Sequence, residues 1–315
     1  MANLGYIQLT RECNQKCLFC SNPPTQKEQR HFEDIKRIID EFIERQYTGV
    51  IITGGEPTLS DNLVKTIGYC RQHGFPARLI TNGQCLADKH YLTQLKEAGL
   101  RMVHLSLYSH REQTQNYLTQ KKDSWSCLRQ ALNNLAVMTT IHTNINTVIN
   151  KYNADHLSDL AQWVVTNYSF IKHFVFNNLD PLMNRAAKNK HTIPRLVDFE
   201  VELSKAMNFL HHNQKTFRVE RVPLCYMGLF PHCSTETRKI VKSEERIVYF
   251  LDDKKKIRQH LRQHWYYGKA RACSFCSVND ICAGLYQMDK YYFSRELYPL
   301  FANKSEIKDK IVLSN

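Results

Sequence analysis

LTRECNQKCLFCSNPP, residues 9–24, sets Cys13, Cys17 and Cys20 in the order Cys-x3-Cys-x2-Cys. A loop this tight can wrap its thiolates around a small inorganic core, and iron–sulfur clusters are held by cysteines spaced in this way. Three local ligands on a four-iron cluster leave one iron open to an outside molecule. A zinc knuckle would instead pair Cys-x2-Cys with a second pair about 12–20 residues on. Here the next cysteine is Cys70. Just upstream, Tyr6–Thr10 is a short apolar run that enters the loop as a first strand would.

Outward from that loop, strand and helix patterns alternate. Phe32–Arg45 places apolar residues at Phe32, Ile35, Ile38, Ile39, Phe42 and Ile43, which is helical spacing. Gly49–Thr53 reads as a buried strand ending in Gly54-Gly55-Glu56-Pro57. Strands follow at Ala77–Thr81, Met102–Leu107, Thr143–Ile149 and Ile171–Phe176, separated by helices at His90–Ala98, Ser126–Met138 and Asp155–Val165. Such alternation predicts a parallel sheet with helices over its outer face. Counted from Tyr6 there are six strands. Function in such sheets gathers at the carboxyl ends of the strands. There stand Gly54–Pro57, whose paired glycines admit close backbone approach to a ligand and whose carboxylate suits an ammonium group. Thr81-Asn82-Gly83 ends the third strand and reads equally as an ordinary Asn-Gly turn. Ser106 lies on the fourth strand, Asn144 and Asn146 share one face of the fifth, and Asn177 and Asn178 follow the sixth.

The cysteine loop and the Gly-Gly-Glu-Pro stretch together resemble the radical S-adenosylmethionine (SAM) enzymes. Phe19, the aromatic residue before the third cysteine, matches the family's residue beside the adenine. The resemblance implies a partial (β/α)6 barrel and a [4Fe–4S] cluster on Cys13, Cys17 and Cys20. It assigns the methionine amino group of SAM to Gly54, Gly55, Glu56 and Pro57. Ser106 takes the family's polar position near the ribose or carboxylate, and Asn144 and Asn146, facing the barrel interior by strand parity, are candidate cofactor contacts whose partners are a ligand or a neighbouring strand. It also implies reductive cleavage of SAM to a 5′-deoxyadenosyl radical that abstracts hydrogen from substrate. "TNG" at 81–83 is similar to relatives with peptide substrates.

Beyond residue 220 come Cys225, Cys233, and then Cys273, Cys276 and Cys282 as Cys-x2-Cys-x5-Cys. This spacing resembles the SPASM and twitch extensions, which implies an auxiliary [4Fe–4S] cluster. Tyr286 stands where the fuller pattern has its next cysteine, so one auxiliary cluster is expected rather than two. The fourth ligand is Cys225 or Cys233, with Cys225 preferred; the other is structural or a catalytic thiol, and Cys233 is that candidate. A zinc site at the same residues is the alternative. The expected organisation is a core barrel over 1–180, a linking loop and helix over 181–220, and the extension over 221–315. Within these, 184–195 reads as a substrate-facing loop, Leu196–Leu210 as a helix, Lys239–Phe250 as a hairpin and Arg258–Gln263 as a short helix. Tyr291–Phe301 is expected to pack as core, and His211-His212 to flank a helix end. Cys70, Cys85 and Cys127 are expected to be buried thiols.

The 315 residues are 43% hydrophobic, which suits a globular chain and argues against disorder. No run of about 18 apolar residues appears, and the N-terminus lacks a secretory signal. A cytoplasmic protein is expected, where eleven cysteines serve as metal ligands more readily than as disulfides. A net charge of +13 fits an anionic partner, such as an acidic flavodoxin or ferredoxin as electron donor. The basic residues are dispersed, with short clusters at Lys121–Lys122 and Lys254–Lys256 and no RNA-recognition signature, which disfavours nucleic acid. The expected function is a radical SAM oxidoreductase or maturase acting on a peptide or protein side chain. Only a dozen residues precede Cys13, so a separate recognition protein is expected for such a peptide. The alternatives are a radical SAM enzyme on a small molecule or nucleotide, and a zinc-dependent nucleic-acid-binding module. The first, as in the molybdenum-cofactor cyclase, is disfavoured by the tail "KIVLSN", which lacks that enzyme's Gly-Arg ending. The second leaves Gly54–Pro57 and the strand alternation unexplained.

Overall fold

A computed structural model describes residues 3–22, 28–182, 184–243, 245–251, 256–260 and 266–313. The six expected strands are present as β1 (Leu4–Gln8), β2 (Gly49–Thr53), β3 (Ala77–Thr81), β4 (Met102–Ser106), β5 (His142–Ile149) and β6 (His173–Asn178). Each pairs in parallel with the next. The crossovers are α1 (Phe32–Glu44), α2 (Leu63–Gln72), α3 (Lys89–Ala98), α4 (Glu112–Thr119), α5 (Ser124–Ala136) and α6 (Leu157–Asn167). In α1 the residues Ile35, Ile38, Ile39 and Phe42 are buried, and Glu33 and Asp34 sit in the first turn, where the helix dipole favours negative charge.

Two edges lengthen the sheet beyond the expected six strands. After α7 (Asn184–Lys188) and α8 (Leu196–His212), β7 (Thr216–Glu220) adds in parallel to β6. Beyond α9 (Thr235–Lys242), β8 (Glu245–Tyr249) returns to pair in parallel with β1, and β9 (Lys256–His260) folds back antiparallel on β8. The order β7-β6-β5-β4-β3-β2-β1-β8-β9 puts eight parallel strands in one curled half-barrel sheet. The small extension holds β10 (Tyr267–Gly268) paired antiparallel with β11 (Leu285–Tyr286), then α10 (Lys304–Leu313).

Alternation along the strands separates the two faces. On β4, Val103 and Leu105 join the apolar core, and on β6 Phe174 and Phe176 do so. Residues of the opposite parity, such as His104, Asn144 and His173, face a cavity. The back of the sheet is therefore oily and the lumen polar. Burying a Phe or Leu of the back layer contributes about 1.5–3 kcal/mol.

Several expectations are corrected. Residues 184–195 hold α7 and a 3-10 turn at Lys190–Thr192 rather than an open loop. Lys239–Lys242 belongs to α9, so the hairpin is shifted onward to β8 and β9. Lys256–His260 is a strand, not a helix, because it completes that hairpin; Leu261–Gln263, like Lys254 and Lys255, lie outside the described residues. Tyr292 is core, but Phe301 is 75% exposed. Cys70 is buried, whereas Cys85 and Cys127 are only partly so. Among the described residues no helix is long and apolar enough to cross a membrane.

Candidate active site

Cys13, Cys17 and Cys20 line one cavity of about 190 Å³ with Phe19, Gly54, Gly55, Glu56, Thr81, Asn82 and Ser106. The β1 loop is laced to its neighbours through the backbone. Gly55 N–H donates to Thr10 O at 2.7 Å and Glu56 N–H to Glu12 O at 2.7 Å. A Cβ on Gly54 would stand 2.3 Å from Thr10 O, and one on Gly55 would stand 2.3 Å from Glu12 O and 2.4 Å from Arg11 O. The paired glycines therefore exist so that two loops can touch.

Glu56, 1% exposed, is the staple of this corner. Its Oε1 accepts Thr58 N–H at 3.1 Å, Thr58 Oγ1 at 2.6 Å and Thr81 Oγ1 at 2.6 Å, and its Oε2 accepts Asn82 N–H at 2.7 Å. Burial raises its pKa, and those four donors pull it back toward the charged form. The carboxylate thus ties the end of β2 to the end of β3. Asn82 continues the chain of contacts, donating to Asn14 Oδ1 at 2.7 Å and reaching Cys13 Sγ at 3.9 Å.

Burial also pushes the Cys13 thiol up to about 11, with Glu56 and Cys20 adding to the rise and Gln15 N–H opposing it. Cys17 is raised for the same reason, and the charges of Cys20 and Cys13 act on it. Such thiols become ligands when a metal's charge displaces the proton. Arg185 counters both shifts. The thiols ring the cavity rather than meet at a point. Among the described residues no group of three or more His, Cys, Asp or Glu is gathered closely enough for a single ion.

The α7 segment clamps this loop from above. Arg185 Nε donates to Cys17 O at 2.9 Å, Asn184 Nδ2 to Ser21 O at 2.6 Å and Asn189 Nδ2 to Leu18 O at 2.8 Å. Arg185 and Tyr108 line the cavity, and neither was singled out from sequence. Phe19 packs edge-on against Tyr108, with centroids 4.7 Å apart. An adjacent aromatic after "VHLSL" was the one sequence signal for Tyr108. Arg185, standing 168 residues from its partner Cys17, was covered only by the reading of 184–195 as a substrate-facing loop.

Not every expected residue reaches the cavity. Pro57 is buried outside its lining. Asn146 accepts from Asn177 Nδ2 at 2.5 Å, and Asn144 lines a different cavity near the opposite end of the strands. From β5 it is Val148 that lines the cysteine cavity. Asn146 is level with Ser106, but β5 runs on past the end of β4 to Ile149, and Val148 is the residue of that face carried to the cavity. Nearby, Ser109 Oγ lies 2.8 Å from His156 Nε2, and His156 Nδ1 lies 2.5 Å from Asp155 Oδ1. Ser109 has no exposed surface and also accepts Arg111 N–H at 3.1 Å, so this trio braces a turn and meets no substrate.

In the extension, the charges of Cys282 and Cys273 act on Cys225, whose thiol burial lifts to about 12. Cys276 acts in turn on Cys282. Cys233 has a different neighbour, the Arg218 guanidinium. Tyr286, at the position of the absent cysteine, donates to Asp180 Oδ1 at 3.1 Å. Close by, Arg221 Nε donates to Asn178 O at 2.8 Å; burial disfavours its charge, and Glu220, Asp180 and Glu236 more than restore it.

The family model described as "Radical SAM superfamily" matches residues 7–164. The "Probable GTP 3′,8-cyclase" of Pyrococcus abyssi is 36% identical over 103 residues, 32% of this chain and 33% of that protein. Matches to the first curated relatives span 21% and 53% of their lengths. Among solved structures, Streptococcus suis SuiB bound to precursor peptide SuiA has a TM-score of 0.61 at 17% identity, covering 90% of this chain and 71% of that one. Native anSMEcpe with bound AdoMet and Cp18Cys peptide has a TM-score of 0.64 at 17% identity, covering 98% and 95%. At such identities the likeness speaks for the fold.

Proposed function

The chain belongs to the radical SAM superfamily, and from that premise we propose that it abstracts hydrogen from a peptide or protein side chain. It is an enzyme whose family works with SAM and a [4Fe–4S] cluster. The observation that carries the reading is the meeting of Cys13, Cys17 and Cys20 with Gly54–Glu56 around one cavity. These three thiolates would hold the cluster, and their charge and softness suit iron. A [4Fe–4S] cluster held there would supply the one-electron reduction of the SAM sulfonium that is the source of a 5′-deoxyadenosyl radical.

The chain's own work is placement. Gly54 and Gly55 bring bare backbone to the cofactor, and Glu56 holds that corner to β3. Phe19 against Tyr108 offers an apolar wall for the adenine, with Ser106 as the polar contact beside it. Arg185 fixes the cysteine loop and adds positive charge beside its thiolates. Positioning of the substrate and exclusion of water would favour attack on one C–H bond.

Cys225, Cys273, Cys276 and Cys282 would hold an auxiliary [4Fe–4S] cluster. The mutual charge effects among them favour Cys225 over Cys233 as the fourth ligand. Cys233 is then a structural thiol paired with Arg218 rather than a catalytic one. In this reading 1–180 is the barrel, 181–220 the linking segment whose β7 joins the barrel sheet, and 221–315 the extension, with β8 and β9 lent back to that sheet. The peptide substrate is supported by fold likeness to SuiB and anSMEcpe over nearly the whole chain. An acidic flavodoxin or ferredoxin suits the +13 surface as reductant.

Iron, sulfide and zinc analysis of anaerobically purified protein tests the metal assignment. About eight irons per chain are expected, falling to about four when Cys13, Cys17 and Cys20 are changed to Ala. Cys225→Ala should also lose about four, and Cys233→Ala none. Zinc at the extension would remove the auxiliary cluster, and an iron-free protein after reconstitution would sink the radical reading. For the substrate, SAM cleavage is followed with candidate precursor peptides and with GTP. Stimulation by GTP alone would replace the peptide by a nucleotide.

A further inference from the structure

We propose that the amino-terminal mouth of the barrel is a second binding site, taking a phosphate or carboxylate group of a small ligand between Arg78, His104 and His173. This inference stands apart from the cysteine chemistry. A cavity of about 520 Å³ opens there, and Arg78, His104, Asn144 and His173 line it from the strands. An adjoining cavity of about 400 Å³ shares Arg78 and His142 and adds Arg71 and Arg101. Lys172 stands on the wall of the first. Neither cavity has an Asp or Glu in its lining. So strong a one-sided concentration of cations in a concave site focuses an attractive field for anions.

Of the three groups only His173 has a side-chain hydrogen-bond partner among the described residues, its Nδ1 lying 2.7 Å from Thr216 Oγ1. Arg78 is half-buried, and burial lowers its pKa; among the described residues no carboxylate forms an ion pair with it. His104 Nε2 is closed off from solvent and makes no hydrogen bond. Buried polar atoms of this kind are usually satisfied by something, an ion or water included. Arg71 and Arg101 spend donors on the carbonyls of Glu97, Lys96 and Leu100, which leaves their charge uncancelled. The carboxylate felt by His104 is Glu220, which lies beside Arg221.

Register places these groups together. Ile80, His104, Asn144, His173 and Thr216 are successive partners across β3 to β7, and Arg78 partners Met102 and then His142 in the layer below. Ser106 and Asn146 form the layer above. An oxyanion at this level would lie beneath the cysteine cavity rather than in it. A planar guanidinium and imidazole N–H groups are the donors that grip phosphate and carboxylate well.

The test is calorimetric titration of the anaerobic holoenzyme with inorganic phosphate and, separately, succinate at constant ionic strength. Saturable binding of one anion per chain is expected for at least one of them, and the tighter one identifies the group. Arg78→Gln should weaken it about tenfold or more, Arg78→Lys less, while iron content and SAM binding stay unchanged. Should Arg78→Gln fail to fold, His104→Gln and Lys172→Gln carry the same expectation. Absence of saturable binding overturns the proposal, as does binding that these variants leave unaltered, which the general +13 surface would explain.

Discussion

At the scale of the residue, the site depends on contacts too close for substitution. Gly55→Ala sets a methyl group against two carbonyl oxygens of the cysteine loop. Overpacking of this kind costs about 1–3 kcal/mol. We expect a lowered Tm together with reduced iron content, read by thermal unfolding and metal analysis on one preparation. Arg185→Gln removes a charge-assisted hydrogen bond to Cys17 O, worth about 1.5–3 kcal/mol when the donor is charged. Its expected signature is faster loss of iron to a chelator, with far-UV circular dichroism unchanged. His104 and His173 carry a pH prediction. Burial lowers them to about 4 and about 3, with Arg78 and Arg218 respectively as the next cause. Below the ordinary histidine value of about 6.5 the unfolded chain takes up protons that the folded chain refuses. Stability is therefore present in full above that value and falls as pH drops toward 4. The His104→Gln/His173→Gln variant should lose less stability between pH 6.5 and 5 than the parent, measured by urea unfolding. An equal loss in both would remove these imidazoles from the account.

At the scale of the element, two short segments do work out of proportion to their length. The α7 clamp uses Asn184, Arg185 and Asn189 to hold three carbonyls of the cysteine loop. At the other joint, Tyr286 of β11 reaches Asp180 just past β6, and Tyr292 OH donates to Leu179 O at 2.6 Å. These contacts seat the extension on the barrel's carboxyl end. Tyr286→Phe should cost about 0.5–1.5 kcal/mol. Arg221→Met should cost more, about 3–5 kcal/mol, because the buried Glu236 and the half-buried Glu220 and Asp180 would be left without their counter-charge. Limited proteolysis would show the second variant cut first within the extension; equal resistance in both would argue against the joint. The elements legible beforehand were those with strong periodicity, β1 to β6 and the helices α1, α3, α5 and α6, whereas α2 and α4 were not read from the sequence. Tyr286 was noticed only as an absent cysteine, since a hydrogen bond to a residue 106 positions away leaves no mark on local spacing.

At the scale of the whole molecule, the chain closes on itself. Beyond the Cys225 segment it returns as β8 beside β1, so the strand leading into the cysteine loop is paired on both sides. A central parallel strand is well placed to hold a loop steady, because both rows of its backbone groups are satisfied. The +13 charge belongs at this scale too. Reduction by an acidic flavodoxin should slow steeply between low and physiological salt, as exposed charges are screened within about 8 Å at 0.15 M. Stopped-flow reduction at two salt concentrations checks it, and a rate indifferent to salt would exclude a steered encounter.

The sequence alone determined what depends on neighbours in the chain: the cysteine spacing, the glycine pair, the strand–helix alternation and hence the parallel sheet. Local spacing suffices there because pleat and helix have fixed periods of two and 3.6 residues. Tertiary structure decided the rest. The extra length of β5 beyond β4 put Val148, not Asn144 or Asn146, beside the cysteines, while Asn144 lines the far mouth. Long-range packing chose Arg185 as the clamp, set Cys225 among the extension's thiols and gathered Arg78, Lys172 and three histidines around one cavity. Each of these depends on which distant residues meet in space, and periodicity carries no record of that.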